Sequence, residues 1–175
     1  MTRGGDSAVL LKNMQQLGMD PKEIDVVVLS HIHGDHVGGL NGFLQVNMNV
    51  SVYLPATFHS GIKESLKRDG VNTVEVNDPV RICKGLYSTG VLGNGIKEQS
   101  LIVSTDRGVI VITGCAHPGI VHIIQTVKEL NADNILLVMG GFHLGAMRKA
   151  QLEEFIANFR KLGVEKVGPC HCLLY

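Results

Sequence analysis

Val27-Val28-Leu29-Ser30-His31-Ile32-His33-Gly34-Asp35-His36-Val37-Gly38-Gly39-Leu40 decides how the chain is read, because an apolar, β-branched run ends abruptly in three histidines and an aspartate. Imidazole nitrogens and a carboxylate packed this closely form a ligand set for a borderline divalent metal such as zinc, iron or manganese. In extended backbone His31 and His33 point to the same side, so one ion can take both. Gly34 reads as a sharp turn that aims Asp35 and His36 at a second ion nearby. Imidazoles left unsatisfied at the end of a buried strand would be costly, which disfavours a merely polar loop.

Upstream of this stretch, Ala8, Leu10, Leu11, Met14 and Leu17 recur at helical spacing from Ser7, and Gly18 stops the pattern. Asp20-Pro21-Lys22-Glu23 reads as an N-cap, a proline at the first helical position and a capping acid for one short turn. Val26 to Ser30 is continuous and β-branched, as expected of a strand buried on both faces. Downstream, His36 to Gln45 is predicted helical, with its N-terminus at the histidine cluster. Val50 to Leu54 is predicted as a strand and Pro55 to Lys67 as a segment carrying a helix, with Lys63, Glu64, Lys67 and Arg68 on its polar face. Thr73 to Val76, Arg81 to Tyr87, Ser100 to Ser104 and Val109 to Thr113 read as four more strands, the last two joined by a hairpin turn at Thr105-Asp106-Arg107-Gly108. Pro118 to Leu130 and Lys149 to Leu162 are helical in pattern, Ile135 to Met139 and Glu165 to Val167 strand-like. Periodicity alone gives an α/β or α+β chain with every motif histidine at, or just beyond, the C-terminal end of a strand.

With 175 residues, 45% of them hydrophobic, the chain is sized for a single domain over residues 1–175. Sixteen basic and sixteen acidic residues balance, which argues against a nucleic-acid partner and leaves room for a small anionic substrate at a metal pair. Apolar stretches such as Ile135 to Met139 are strand-sized, too short for a bilayer. Met1-Thr2-Arg3-Gly4-Gly5 lacks an apolar signal core, so a cytoplasmic location with no membrane partner is expected. Four cysteines do not make a disulfide framework; Cys170 and Cys172 flank His171 too closely to bridge comfortably, and Cys83, on an apolar strand, is expected to be a buried thiol. No G-x-G-x-x-G turn follows a strand, and no phosphate loop of the G-K-[ST] type is present.

The phrase HxHxDH, followed by Gly38-Gly39, resembles the signature of the metallo-β-lactamase superfamily. Three later phrases, Thr113-Gly114-Cys115-Ala116-His117-Pro118-Gly119-Ile120, Met139-Gly140-Gly141-Phe142-His143-Leu144 and Pro169-Cys170-His171-Cys172, resemble its branch named for 7,8-dihydropterin-6-methyl-4-(β-D-ribofuranosyl)-aminobenzene-5′-phosphate synthase. The resemblance implies an αββα sandwich of the α+β class, two mixed sheets face to face with helices outside. It implies two divalent ions, zinc in the first instance with manganese or iron as alternatives: His31, His33 and His117 on one, Asp35, His36 and His171 on the other. Asp35 and His143 are the candidate catalytic groups, His143 as a substrate-facing or metal-adjacent imidazole permitted by Gly140-Gly141 and anchored by Phe142. Cys115 stands where many relatives carry a bridging aspartate, and either replaces that ligand or leaves the bridge to hydroxide. His59 and His122 lie outside any motif and read as surface residues.

The implied reaction is either condensation of a dihydropterin methyl pyrophosphate with a ribofuranosyl-aminobenzene phosphate or metal-dependent hydrolysis of a phosphoester, lactone or thioester. A non-catalytic metal-binding remnant is the third reading. The resemblance also predicts a strand ending in Asp-Thr-Gly ahead of Ser7, where this sequence has Arg3-Gly4-Gly5-Asp6, and a continuation after Cys172. The first sheet is therefore expected to be incomplete, and its exposed edge to favour a homo-oligomer.

Overall fold

The helical spacing at Ser7 is realised as α1 (Ser7–Gln16), which Asp6 caps by accepting from the Ala8 N–H at 2.8 Å and which ends at Gly18 with φ +68°. In the computed structural model, residues 5–130, 133–145 and 147–171 are described, and the chain divides into two compact units, Met1–Asn77 and Asp78–Tyr175.

In the first unit a short 3-10 turn (Pro21–Glu23), capped by Asp20, leads into β1 (Val26–Val28). Two helical pieces follow, α2 (Gly34–Val37) and α3 (Leu40–Val46), then β2 (Ser51–Pro55), α4 (Ser60–Arg68) and β3 (Asn72–Val76). The strands pair in parallel in the order β1-β2-β3, so among the described strands this sheet is parallel throughout rather than mixed. β2, with a neighbour on each side, has Val52 and Leu54 fully buried. β1, at the end of the order, is only half-buried, which corrects the expectation of a strand covered on both faces. The single helix expected over His36 to Gln45 is interrupted at Gly38, where a Cβ would meet the Gly5 carbonyl oxygen at 2.2 Å: the backbone of residue 5 crosses there and leaves no room for a side chain. Packed around β2 are Leu40, Phe43, Leu44, Phe58 and Leu66. Fully burying a side chain of this kind contributes roughly 1.5–3 kcal/mol.

The second unit opens with a meander: β4 (Val80–Cys83), β5 (Leu86–Ser88), β6 (Leu101–Thr105) and β7 (Gly108–Thr113), each antiparallel to the last. What reads as one strand over Arg81 to Tyr87 is a hairpin, turned at Lys84-Gly85 with Gly85 at φ +79° and closed by the Cys83–Leu86 pair. Cys83 is exposed, not buried, because β4 is an end strand and its side chains alternate between half-buried and exposed. After β7 the connections become helical, α5 (Ile120–Leu130) leading to β8 (Ile135–Gly141) and α6 (Lys149–Lys161) to β9 (Val164–His171), and β7, β8 and β9 run parallel. The buried stripe Ile120, Ile123, Ile124 and Val127 of α5 packs with Val109, Val111, Ile135 and Val138 of the sheet.

Helices and sheets thus combine as α+β, the second sheet mixed. In both units crossover connections leave the C-terminal ends of parallel strands together, and ligands of such sheets sit off those ends. The motif residues follow that rule: His31 to His36 come after β1, Cys115 and His117 after β7 and His143 after β8, while His171 ends β9. Cys172 lies outside the described residues. No helix among the described residues is long and apolar enough to cross a membrane.

Candidate metal-binding clusters

In the first unit the chain leaves β1 at Leu29, turns through Ser30 to His33, and enters α2 with His33 as its N-cap residue. That geometry gathers the imidazoles. The ring of His31, fully buried, lies 4.8 Å from that of His33 edge-on and 4.1 Å from that of His36. His31 and His33 each offer a ring nitrogen within 4.8 Å of the other, and Asp35 and His36 offer an oxygen and a nitrogen within the same limit. Asp35 Oδ2 stands 3.4 Å from His36 Nε2. Ser30 Oγ reaches two of the rings, 3.0 Å from His31 Nδ1 and 3.3 Å from His36 Nδ1. Bonds of this kind, made on the far nitrogen, fix the tautomer and tilt of metal-ligating histidines. Gly34 is helical and has open space where a Cβ would stand, so the turn that orients Asp35 and His36 is the first turn of α2 and does not depend on glycine.

In the second unit the register of β7, β8 and β9 sets the cluster. Thr113 pairs with Gly140 and Gly141 with His171, so the segment after β7, the end of β8 and the end of β9 meet along one edge. A Cβ on Gly141 would stand 2.3 Å from the Gly114 carbonyl oxygen and 2.7 Å from Cys115 Cα; the close approach that the glycine pair permits is therefore to the 114–117 loop. Cys115, buried, and His171 offer a sulfur and a nitrogen within 4.8 Å of one another. The rings of His117 and His143 lie 5.1 Å apart, and His143 is exposed with φ +53°, a left-handed conformation uncommon for a non-glycine residue. Phe142 anchors that loop as expected, buried against the Phe155–Phe159 pair at ring distances of 6.1 and 5.9 Å. His59 and His122 are exposed, at the start of α4 and on α5.

Two residues that sequence reasoning passed over shape these clusters. One is Ser30, whose place between an apolar strand and a histidine was visible but has no signature of its own. The other is Glu98, 1% exposed. Its Oε1 accepts from the Gly114 and Ala116 N–H groups at 2.9 and 3.0 Å, and its Oε2 accepts from the His117 N–H at 3.0 Å. Burial raises its pKa above the ordinary carboxylate range, and the backbone N–H groups of residues 114–117 pull it back only in part. As donor sets, the first unit's imidazoles and carboxylate and the second's imidazoles and buried thiol suit borderline divalent ions.

The chain matches the family model of the metallo-beta-lactamase superfamily over residues 3–129. The 7,8-dihydropterin-6-methyl-4-(beta-D-ribofuranosyl)-aminobenzene-5′-phosphate synthase of Methanocaldococcus jannaschii is 29% identical over 93% of this chain and 71% of its own length. Among solved structures, Tm1679, a metal-dependent hydrolase of the beta-lactamase superfamily, superposes with a TM-score of 0.75 at 31% identity, covering 94% of this chain and 74% of that one. The short form of human tRNase Z shares the fold at 14% identity, with a TM-score of 0.54 over 91% of this chain and 80% of its own. A family match across most of the sequence and a superposition across nearly all of it agree with the donor clusters at the strand ends: the chain belongs to the metallo-beta-lactamase superfamily.

Proposed function

We propose that this chain is a dinuclear metalloenzyme acting on an anionic, phosphorylated small molecule, with His31, His33 and His117 as ligands of one divalent ion and Asp35, His36 and His171 as ligands of the second. The observation that carries the reading is the packing of three imidazoles and a carboxylate within six residues after β1, two of the rings oriented from behind by Ser30. Divalent ions held by these residues would supply an activated water and positive charge for phosphate oxygens. Asp35 ligates and, with the exposed His143, takes up or delivers a proton at the reacting atoms; the turn at His143 holds that ring near His117.

The likeness to the archaeal synthase supports this substrate class. A dihydropterin methyl pyrophosphate is joined to a ribofuranosyl-aminobenzene phosphate: a C–N bond forms, pyrophosphate leaves, and the amine proton passes to Asp35 or His143. A hydrolytic reaction is the second reading, favoured by the likeness to a metal-dependent hydrolase at 31% identity. The test begins with the metal. Elemental analysis after dialysis is expected to show clearly more than one equivalent of divalent ion per chain. His33→Ala and His171→Ala are each expected to remove about one equivalent while the other ion binds more weakly, since a lost ligand or supporting group lowers affinity steeply. A protein that holds no metal and does not respond to added zinc or manganese would sink the dinuclear reading. Product analysis with the pterin pair and with simple phosphodiesters then separates synthase from hydrolase, and metal binding with neither turnover would mark a non-catalytic remnant.

A further inference from the structure

Glu98 is assigned no step in the proposed chemistry, yet the chain buries its side chain almost completely in the second unit. Burying a charge is costly unless its lone pairs are satisfied, so the partners matter. Those partners are backbone. Oε1 takes the N–H groups of Gly114 and Ala116, Oε2 that of His117, and the Cys115 N–H points the same way. Successive N–H groups can converge on one anion only if the chain curls, and Ala116 supplies the curl with φ +58°. Such a concave run of amides is an anion-binding nest. Its anion here is a side chain of the same chain.

Glu98 is itself held firmly. Its backbone exchanges two hydrogen bonds with Leu92, at 2.8 and 3.2 Å, and the antiparallel pairing of β6 with β7 carries residue 98 alongside the end of β7. From the opposite side Gly140 and Gly141 abut Thr113, Gly114 and Cys115 so closely that no Cβ fits. The loop is therefore gripped between β8 and the carboxylate.

We propose that Glu98 is a positioning residue for the 114–117 loop, its carboxylate fixing through four backbone N–H groups the places of the Cys115 thiol and the His117 imidazole. The inference rests on the reading of His117 as a metal ligand. Asymmetry in the clamp gives it a specific consequence. An amide at position 98 keeps one accepting oxygen, which is worth most against the Gly114 and Ala116 pair. Its NH2 then faces the His117 N–H, so the grip fails at the end of the loop that carries His117.

Zinc and cobalt(II) are the probes, with wild type, Glu98→Gln, His117→Ala and the double variant. Glu98→Gln is expected to lower affinity for one equivalent about 10- to 100-fold, to leave the second equivalent bound, and to alter the visible absorption of the cobalt-loaded protein. Far-UV circular dichroism of the metal-free variant is expected to match wild type. Added to His117→Ala, the glutamine is expected to cost no more than about twofold further, because coupled residues do not add. Unchanged affinity in Glu98→Gln, or losses that add in full in the double variant, would overturn the positioning role while leaving His117 as a ligand. Unchanged affinity in His117→Ala would overturn both readings together. Should Glu98→Gln not fold, Glu98→Asp gives the result: it keeps the buried charge but is one methylene short, and is expected to weaken the same equivalent and leave the other. Wild-type affinity at both equivalents in Glu98→Asp would count against the inference.

Discussion

Ser30 shows how little side chain is needed to set a cluster, since one hydroxyl lies within hydrogen-bonding distance of the Nδ1 atoms of both His31 and His36. Ser30→Ala removes that orientation without removing a ligand. The variant is expected to fold as wild type and to bind zinc about 10- to 100-fold more weakly, as read by competition with a chelator of known affinity; an unchanged affinity would show that the strand end alone orients the rings. The histidine cluster was legible because its members are neighbours in sequence and its spacing matches both a strand end and a helix start. His117, His143 and His171 could be singled out from the glycines and prolines beside them and from the family resemblance. Glu98 could not. It acts on backbone groups 16 to 19 residues away, and amides carry no side-chain signature for a sequence reader to match.

Elements whose boundaries are set locally came through well. Asp6, Asp20 and Gly18 mark helix ends by chemistry contained within a few residues. Constraints imposed by distant segments are not legible in the same way: at Gly38, between α2 and α3, the backbone of residue 5 passes so close that no side chain fits. The pairing of β8 with β7 is another such constraint. Gly141→Ala would press a methyl group against the Gly114 carbonyl and Cys115 Cα, both backbone and unable to rotate away. A cost of about 1–3 kcal/mol in urea unfolding is expected, as for other overpacked sites, together with weaker zinc binding; a variant as stable as wild type would mean that the β7–β8 edge yields to a methyl group. In the first unit, α4 is tied to β3 by Lys63 and Lys67, which donate to the two carboxylate oxygens of Glu75 at 2.9 and 3.0 Å. The Lys63 bond first, then that of Lys67, lowers the Glu75 pKa below its ordinary value. A depressed carboxylate stabilises the fold above its unfolded pKa and loses that contribution as pH falls through the folded value. Relative to Glu75→Gln, the wild type is therefore expected to lose stability below about pH 4.5 and not above. The difference is expected to shrink in high salt, because Lys67 is exposed and Glu75 is partly so; thermal melts across pH at two ionic strengths check both points.

Across the whole molecule, the proposed ligand list draws on both compact units, His31, His33, Asp35 and His36 from one and His117 and His171 from the other. An ion that binds the folded chain and not the unfolded one stabilises it by RT ln(1 + [L]/Kd), about 2.7 kcal/mol at one hundred times Kd. If each ion takes ligands from both units, that stabilisation cannot be confined to either. Hydrogen exchange separates the cases, because amides of the buried strands report the larger openings of the unit to which they belong. Val52 and Leu54 in β2 and Val109 and Val111 in β7 are all fully buried, so their amides serve as reporters of the first and second unit. Added zinc is expected to slow exchange at both sets by similar factors, and His117→Ala is expected to reduce the effect at both, although it changes only the second unit. Protection that rises in β2 alone would assign the metal to the His31–His36 cluster by itself and would remove His117 and His171 from the ligand list.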